Sequence, residues 1–290
     1  MNNGFEVDII ADSVPAQDPY EGTRITTFQL KYPRFIHAEF MTHRMFSRNA
    51  SSSRAIPVNK IMDDVRQKPA KPIYWGSNKP GMQAGAEIEN TDRAQAEWID
   101  ARDSALTHAA EMNTQGLHKQ IVNRILEPWH FIRVIMTATE MDNFYDLRRH
   151  PAAQPEIKFL ADMMYHTQNL SHPKSLNPGE WHLPYIQDKE KHLPEDYLLR
   201  ISTARCARVS YLNHDNSNPD IDKDMALWKT LYESGHMSPF EHQATPMEIP
   251  KWNPLDVDLN ADIKGVTHYD TAGNAWSGNF KGWVQQRHII

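Results

Sequence analysis

The chain has 290 residues, 40% hydrophobic and 23% charged, which is long enough for one large domain or two small ones with a substantial core. Its formal net charge of -6 at pH 7 argues against a protein that follows polymeric nucleic acid, because that role needs a basic face. No apolar run reaches the ~18 residues of a membrane-spanning helix, so no membrane partner is expected.

Two strands are predicted near the N-terminus, over residues 6–10 and 24–31. In the second, Thr26, Phe28 and Leu30 alternate with more polar neighbours. The first residues lack the basic and apolar regions of a signal peptide, and the single cysteine cannot form an internal disulfide. Both features favour a reducing, cytoplasmic location.

Residues 42–54 combine three arginines, a histidine, an asparagine and four serines. Apolar residues recur at helical spacing before and into this run, which predicts an amphipathic helix that ends near Asn49. Arginine forks, hydroxyls and free backbone N–H groups would then meet at the helix end and suit a bound phosphate. The alternative is a linker that serine and arginine merely keep solvated.

Downstream, residues 55–90 are rich in Pro, Gly and Lys and are predicted to form a loop or lid. A helix is expected to begin at Thr91 as N-cap and to run towards Met112, and a second to span residues 117–125. Pro128 kinks or restarts this path, and apolar residues at 132, 135 and 136 continue it.

Residues 171–193 are predicted to be a connector. Pro194 opens the next helix, and another runs from about Ile221 to Gly235, a suitable C-cap. Beyond Pro246 the pattern is irregular, with strand-like pieces.

The run at 42–54 resembles the flavin-dependent thymidylate synthase signature, Arg-His-Arg-x-x-Ser-x-Asn-Glu-x-Ser-x-Arg. The matching positions are His43, Arg44, Ser47, Asn49, Ser52 and Arg54. Thr42 replaces the first Arg of the signature, and Ala50 replaces its Glu.

Further segments strengthen this resemblance. Residues 143–148 and 153–157 are similar to the family's Asn-Phe-x-x-Leu-Arg and Ala-Gln-x-Glu-Ile, and 123–128 to its Ala-Arg-x-x-Leu-Pro. Residues 204–211 and 235–242 resemble the family's Ala-Arg-Val-Ser and Gly-His-x-Ser/Thr-Pro-Phe-Glu-His. In the family the second of these segments precedes the signature. The chain is therefore interpreted as a circular permutation or a rearranged duplication of the family.

The resemblance implies an α/β fold, with a mixed, largely antiparallel sheet flanked by long helices. It implies one domain over residues 1–290, in which 55–90 is an inserted loop or lid and 171–193 connects the permuted parts. It also implies a homotetramer whose active sites are shared between subunits, as symmetric oligomers allow.

The activity implied is conversion of dUMP to dTMP, with FAD as cofactor and with methylenetetrahydrofolate and NADPH as co-substrates. Two alternatives stay open. One is a related flavoenzyme that methylates or hydroxymethylates C5 of another pyrimidine nucleotide, such as dCMP. The other is a catalytically silent homologue that binds nucleotide or flavin.

The resemblance also assigns residues. It places Ser52 and Arg148 at the catalytic centre, and it gives substrate binding to Glu39, Ser52, Ser53, Arg54, Arg124 and Arg148. It gives flavin binding to His43, Arg44, Ser47, Asn49, Asn143, Ser210, His236 and Ser238. For the arginines the competing interpretation is surface salt bridging.

Three departures bear on substrate choice. Thr42 removes a guanidinium, Ala50 removes a carboxylate, and Glu39 stands where the family commonly has Gln beside the pyrimidine. Gln286 and Arg287 would compensate if the C-terminal tail folds back into the site. Cys206 is expected to be a buried, inert thiol, and no metal site is expected because the histidine spacing fits no standard ligand motif.

Overall fold

The computed structural model describes residues 3–16, 23–210, 217–248, 251–252 and 263–290. Tyr211, the last residue of the 204–211 motif, lies outside these ranges. The strands are β1 Glu6–Pro15, β2 Ile25–Pro33, β3 Ser47–Ala50, β4 Phe131–Ala138, β5 Lys174–Leu176, β6 Ala244–Pro246, β7 His268–Tyr269, β8 Ala275–Ser277, β9 Phe280–Lys281 and β10 Trp283–Gln285. The α-helices are α1 His37–Phe40, α2 Val58–Gln67, α3 Thr91–Thr114, α4 Lys119–Val122, α5 Asp142–Arg148, α6 Pro155–Leu170, α7 Glu195–Arg208 and α8 Ile221–Glu233.

The largest sheet has five strands in the order β3-β4-β2-β1-β5. Its pairs are antiparallel except β1 with β5, which run parallel. Smaller sheets join β6 to β10 and β7 through β8 to β9. The prediction of a mixed, largely antiparallel sheet flanked by long helices is therefore confirmed.

Strand alternation separates two buried layers. Phe28 and Leu30 of β2 and Val134 and Met136 of β4 face the main core, where α5 and α6 pack. Ile135 faces the opposite layer and packs with residues of α7 and the 171–193 segment. Thr27 and Thr137, which are directly paired across β2 and β4, also lie on that second face.

A separate apolar cluster joins α2 and α3 to a 3-10 helix over Asn123–Trp129. The buried residues of α2 are Val58, Ile61, Met62 and Val65, which share one helical face. The prediction of a loop over residues 55–90 is therefore wrong for α2. The predicted helix over 117–125 is also shorter, because α4 passes into the 3-10 helix that contains Pro128.

The prediction of a helix ending near Asn49 is wrong. Helix α1 ends at Phe40, and residues 47–50 form β3, which pairs with β4. The Nη1 atom of Arg48 donates to the carbonyls of Met41 and His43 at 3.0 and 2.9 Å, so the guanidinium holds the turn after α1. Pairing with a central strand thus overrides the local apolar spacing.

The apolar residues after Pro128 belong to β4 and do not continue a helix. Five consecutive residues of β4, Val134 to Ala138, are buried, and such a run cannot be told from a buried helix by periodicity. The helices predicted from Pro194 and Ile221 are confirmed as α7 and α8. The N-cap of α3 is Asn90, one residue before the predicted Thr91.

Candidate functional site

Arg148, the last residue of α5, is held by three side chains from the segment that contains α1. Its Nε donates to His43 Nε2 at 2.8 Å, its Nη1 forms an ion pair with Glu39, and its Nη2 lies 3.4 Å from the hydroxyl of Thr42. The structure therefore brings together three predicted site residues, Glu39, His43 and Arg148. Thr42 touches the same guanidinium.

The imidazole of His43 is buried against the rings of Phe46 and Phe144, with centroids 5.8 and 4.9 Å away. Because its Nε2 accepts from Arg148, its proton sits on Nδ1. Burial lowers its pKa to about 4, and the charges of Arg148 and Arg48 act in the same direction. His43 is thus a neutral acceptor that orients Arg148.

Two predicted substrate ligands, Ser53 and Arg124, contact the carboxylate of Glu127. Glu127 accepts from the Ser53 hydroxyl at 3.2 Å and from Arg124 Nη1 at 3.0 Å, and Arg34 Nη2 lies 3.0 Å from the same oxygen. Two arginines and a hydroxyl therefore converge on one anion that belongs to the protein. Such a group can also receive a phosphate, provided that Glu127 yields its place.

Next to these ligands, Ser52 and Arg54 are exposed, and the Arg54 backbone N–H donates to the Ser52 hydroxyl at 3.3 Å. Two further predicted substrate ligands therefore lie on the surface, on either side of Ser53 in the sequence.

Strand β3 meets two segments from the C-terminal part of the chain. Asn49 Nδ2 donates to Ser238 Oγ at 3.0 Å, and Asn49 Oδ1 lies 2.8 Å from His242 Nε2. Ser47 donates to Asn279 Oδ1 at 3.1 Å and accepts from Gln285 Nε2 at 3.2 Å. The segment 235–242 therefore lies against the signature run, although about 190 residues separate them.

Other predicted flavin ligands are not joined to this arrangement. Arg44, Asn143 and His236 are exposed, and within the described ranges no side-chain hydrogen bond links them to the other predicted residues. Ser210 is partly buried just after α7, where its N–H donates to the Arg205 carbonyl at 3.2 Å. Val209 before it has φ 57°, an uncommon left-handed conformation for a β-branched residue that turns the chain out of the helix.

The C-terminal tail does fold onto the 235–242 segment. Arg287 forms an ion pair with Glu241, and Gln286 accepts from the Thr203 hydroxyl at 2.9 Å. The contact of Gln285 with Ser47 was not foreseen, since nothing in the sequence distinguishes Gln285 from its neighbour Gln286. Cys206 is buried, and burial raises the pKa of its thiol, as expected for an inert residue.

Two fully buried histidines, His182 and His242, were also missed as site elements. Burial lowers the pKa of each to about 3, and the neighbouring His182 adds to the effect at His242. The sequence held one sign of these buried histidines. Thr27 and Thr137 stand inside otherwise apolar strands, and buried hydroxyls of this kind need hydrogen-bond partners.

These histidines predict acid destabilisation. The unfolded imidazoles bind protons below about pH 6.5, whereas the folded ones stay neutral until about pH 3, so the unfolded state gains protons first. Stability is therefore complete above the unfolded pKa and falls as pH drops, by about 1.4 kcal/mol per pH unit for each group. Urea unfolding at a series of pH values measures this slope.

His242→Gln should lower this slope by the contribution of one imidazole. A free energy of unfolding that stays constant between about pH 7 and pH 5 would contradict the assignment of neutral buried imidazoles.

In the part of the chain that the structure describes, no helix has both the length and the apolarity needed to cross a bilayer. The same residues contain no group of three or more His, Cys, Asp or Glu side chains placed to hold a metal ion.

Comparison with known proteins gives a family match and structural likenesses. The family model described as thymidylate synthase complementing protein matches residues 18–174, more than half of the chain, and residues 235–242 lie outside it. No curated protein sequence matches.

Solved structures similar to the chain include the UMP/dUMP methylase PolB from Streptomyces cacaoi bound with 5-Br dUMP. It has 17% identity and a TM-score of 0.46, with 56% of this chain and 88% of that chain covered. The same methylase bound with 5-Br UMP gives a TM-score of 0.43 at 17% identity, with the same coverage of 56% and 88%.

Proposed function

Because this chain belongs to the family of thymidylate synthase complementing proteins, we propose that it is an FAD-dependent nucleotide methyltransferase. In this proposal it converts dUMP to dTMP, with methylenetetrahydrofolate as carbon donor and NADPH as reductant. Family membership supports the broader class, a methylase acting at C5 of a pyrimidine nucleotide. The observation that carries the proposal is the convergence of Arg148 with Glu39 and His43, which are predicted site residues more than 100 positions earlier in the chain.

In the proposed site, Glu39 lies beside the pyrimidine, and Arg148 grips the nucleotide phosphate and lies at the catalytic centre. His43 supports this role of Arg148, since a neutral acceptor fixes the guanidinium without competing for a substrate anion. The other proposed phosphate ligands are Ser52, Ser53, Arg54 and Arg124, with Ser52 also close to the reacting base. The charge-assisted bonds that Arg124 and Ser53 already make to Glu127 support an anion preference here.

For the flavin, the residues of β3 and the 235–242 segment fit an aromatic ring that carries several acceptor atoms. The Asn49 amide and the Ser238 hydroxyl lie side by side and are only partly buried. The proposed flavin ligands are His43, Arg44, Ser47, Asn49, Asn143, Ser210, His236 and Ser238. Bound FAD, once reduced by NADPH, would supply the electrons that turn the transferred carbon into a methyl group.

The contact between Asn49 and Ser238 also supports the proposed permutation, in which segment 235–242 takes its place beside the signature despite the altered order.

The exposure of Ser52, Arg54 and Arg124 supports sites completed by a second subunit of a homotetramer. Light scattering of the purified protein tests the assembly, and a fully active monomer would contradict it. The single, buried cysteine supports a reducing, cytoplasmic location.

A second substrate, dCMP, is favoured by one observation. Glu39 is a carboxylate, an acceptor that suits the exocyclic amine of cytosine, whereas the corresponding atom of uracil is a carbonyl oxygen. Because Glu39 forms an ion pair with Arg148, a carboxylate acceptor and guanidinium donors lie side by side, where a base could meet both. Competition between dUMP and dCMP for the protein decides which base the pair prefers.

The proposed function is tested first by cofactor binding. The purified protein, titrated with FAD, should show the visible absorbance of protein-bound oxidised flavin, and NADPH should bleach it under anaerobic conditions. Failure to bind FAD would contradict the proposal. A protein that binds FAD and nucleotide but turns over neither dUMP nor dCMP would be the silent homologue.

Glu127→Gln should strengthen binding of dUMP by roughly 3- to 10-fold, because the substitution keeps the shape but removes the charge that competes with phosphate for Arg124. Calorimetric titration measures the change. Glu233→Gln, in an exposed pair with Lys229, alters net charge equally and should leave the affinity unchanged. Weaker binding in Glu127→Gln would show that the carboxylate orients Arg124 for the substrate.

A further inference from the structure

A continuous chain of hydrogen bonds crosses the second layer of the sheet and ends at Asn49. Its first four members lie on the 171–193 segment and on strands β1, β2 and β4, and its fifth follows the 3-10 helix at residues 238–241. The links are Ser13 Oγ to His182 Nδ1 at 3.0 Å, His182 Nε2 to Thr27 at 2.7 Å, Thr27 to Thr137 at 2.7 Å, Thr137 to His242 Nδ1 at 2.8 Å and His242 Nε2 to Asn49 Oδ1 at 2.8 Å. We call its five members, Ser13, His182, Thr27, Thr137 and His242, the hydroxyl–imidazole array.

The array is buried and uncharged. Its most exposed member is Ser13, at 4%, and Thr27, Thr137 and His242 are fully buried. Burial holds the pKa of both imidazoles well below neutrality, so each ring carries one proton at neutral pH. Each hydroxyl likewise has one proton to donate.

These counts make all donors in the array run in one direction, and the Asn49 amide, with its oxygen towards His242, sets which direction that is. The amide oxygen of Asn49 can only accept, so His242 carries its proton on Nε2, and its Nδ1 must accept from Thr137. The Thr137 oxygen then accepts from Thr27, and Thr27 accepts from His182 Nε2.

Because His182 carries its proton on Nε2, its Nδ1 accepts from the Ser13 hydroxyl at the other end of the array. All donors thus point from Ser13 towards Asn49.

Reversing any one member alone would set two donors or two acceptors against each other in the interior, where an unmade hydrogen bond is costly. The direction is therefore shared by all members. The amide at the end is held with its oxygen inward and its nitrogen towards Ser238.

We propose that the hydroxyl–imidazole array positions Asn49, keeping the amide N–H groups and Ser238 turned towards a bound flavin by fixing both imidazoles as Nε2–H tautomers. The inference rests on the proposed function for the identity of the ligand, and on the hydrogen-bond geometry and the neutrality of both buried rings for the tautomers. Its members are positioning residues, since none of them needs to touch the ligand. A preorganised donor loses less on binding than one that is free to turn.

The tautomers are tested on the cofactor-free protein by long-range proton–nitrogen NMR of the histidine rings. His182→Gln and His242→Gln identify the two sets of signals. Both rings should be neutral at pH 7 and carry the proton on Nε2. A proton on Nδ1 of either ring, or a charged ring, would overturn the array as described, whether or not the protein binds flavin.

Transmission to the ligand is tested with Thr27→Val, which removes the central hydroxyl and leaves Asn49 and Ser238 untouched. The array then no longer shares one direction, so the Asn49 amide can turn and His242 should populate both tautomers. The dissociation constant for FAD should rise roughly 3- to 10-fold. Thr27→Ser keeps the hydroxyl and should restore both properties.

Thr26→Val is the matched control. Thr26 is the adjacent residue of the same strand, equally buried, and its hydroxyl also makes two hydrogen bonds, with Asp12 at 3.1 Å and Gln168 at 2.9 Å on the other face. It should lower stability comparably and change neither His242 nor FAD affinity. Unchanged tautomers in Thr27→Val, or equal loss of FAD affinity in both valine variants, would overturn the proposal. If even the parent binds no FAD, the proposed function fails, and the tautomer measurement decides the array alone.

Discussion

Arg148→Ala is expected to weaken nucleotide binding by roughly 10- to 150-fold. Loss of a charge-assisted hydrogen bond usually costs about 1.5–3 kcal/mol, and about 1.4 kcal/mol corresponds to a factor of ten in affinity. The substitution also leaves Glu39 without its cation and His43 Nε2 without its donor, so a carboxylate would face the substrate unpaired. Titration calorimetry with dUMP on flavin-loaded protein, with binding by the parent established first, gives the number.

The neighbouring arginine provides the control. Arg149 is partly exposed. It pairs with Asp162 at 2.9 Å, and its guanidinium lies 3.6 Å from the ring centre of Tyr165. Arg149→Ala should therefore leave nucleotide affinity unchanged. FAD affinity should change little in either variant. If Arg148→Ala binds nucleotide as tightly as the parent, the assignment of the substrate site to this cluster is wrong.

Arg205→Ala is expected to destabilise the fold by about 3–5 kcal/mol, the usual cost of breaking a buried ion pair from one side. Arg205 is fully buried in α7, donates to both carboxylate oxygens of Glu190 at 2.7 Å, and lies 3.0 Å from Asp224. Without the Arg205 guanidinium, the buried carboxylate of Glu190 loses the cation that it pairs with. Urea unfolding of the two proteins measures the difference.

Arg200 serves as the comparison on the same helix. Its pair with Asp196 is exposed, and its guanidinium lies 4.5 Å from the ring centre of Trp228, so Arg200→Ala should cost about 1 kcal/mol or less. Similar losses in both variants would contradict the view that Arg205 ties the 171–193 segment to α7 and α8.

Much of the site could be predicted because the motifs are local in sequence. Arg148 and His43 were assigned from their motifs, and the structure joins them directly. The strands at the N-terminus and the helices that begin after Pro194 and at Ile221 follow from alternation and from proline and cap signals. These features depend on neighbours within a few residues.

The remainder depends on distant partners. Strand β3 carries a helical pattern of apolar residues before it and becomes a strand because β4, about 85 residues later, offers an edge. Residues 134–138 of β4 are buried on both faces of the sheet, so their apolar run lacks the alternation that identifies a strand from sequence. His182 sits in what the sequence suggests is a plain connector, and its role appears only when Thr27 and Ser13 are beside it.

The most direct test of the central claim is tritium release from C5-labelled pyrimidine nucleotide. Protein loaded with FAD is given NADPH and methylenetetrahydrofolate, with labelled dUMP in one series and labelled dCMP in the other. We expect release of tritium to water together with the C5-methylated nucleotide, and loss of both when FAD, NADPH or the folate is omitted. Protein that binds FAD and nucleotide, yet releases no tritium from either substrate, would contradict the claim that this chain is a pyrimidine C5 methylase.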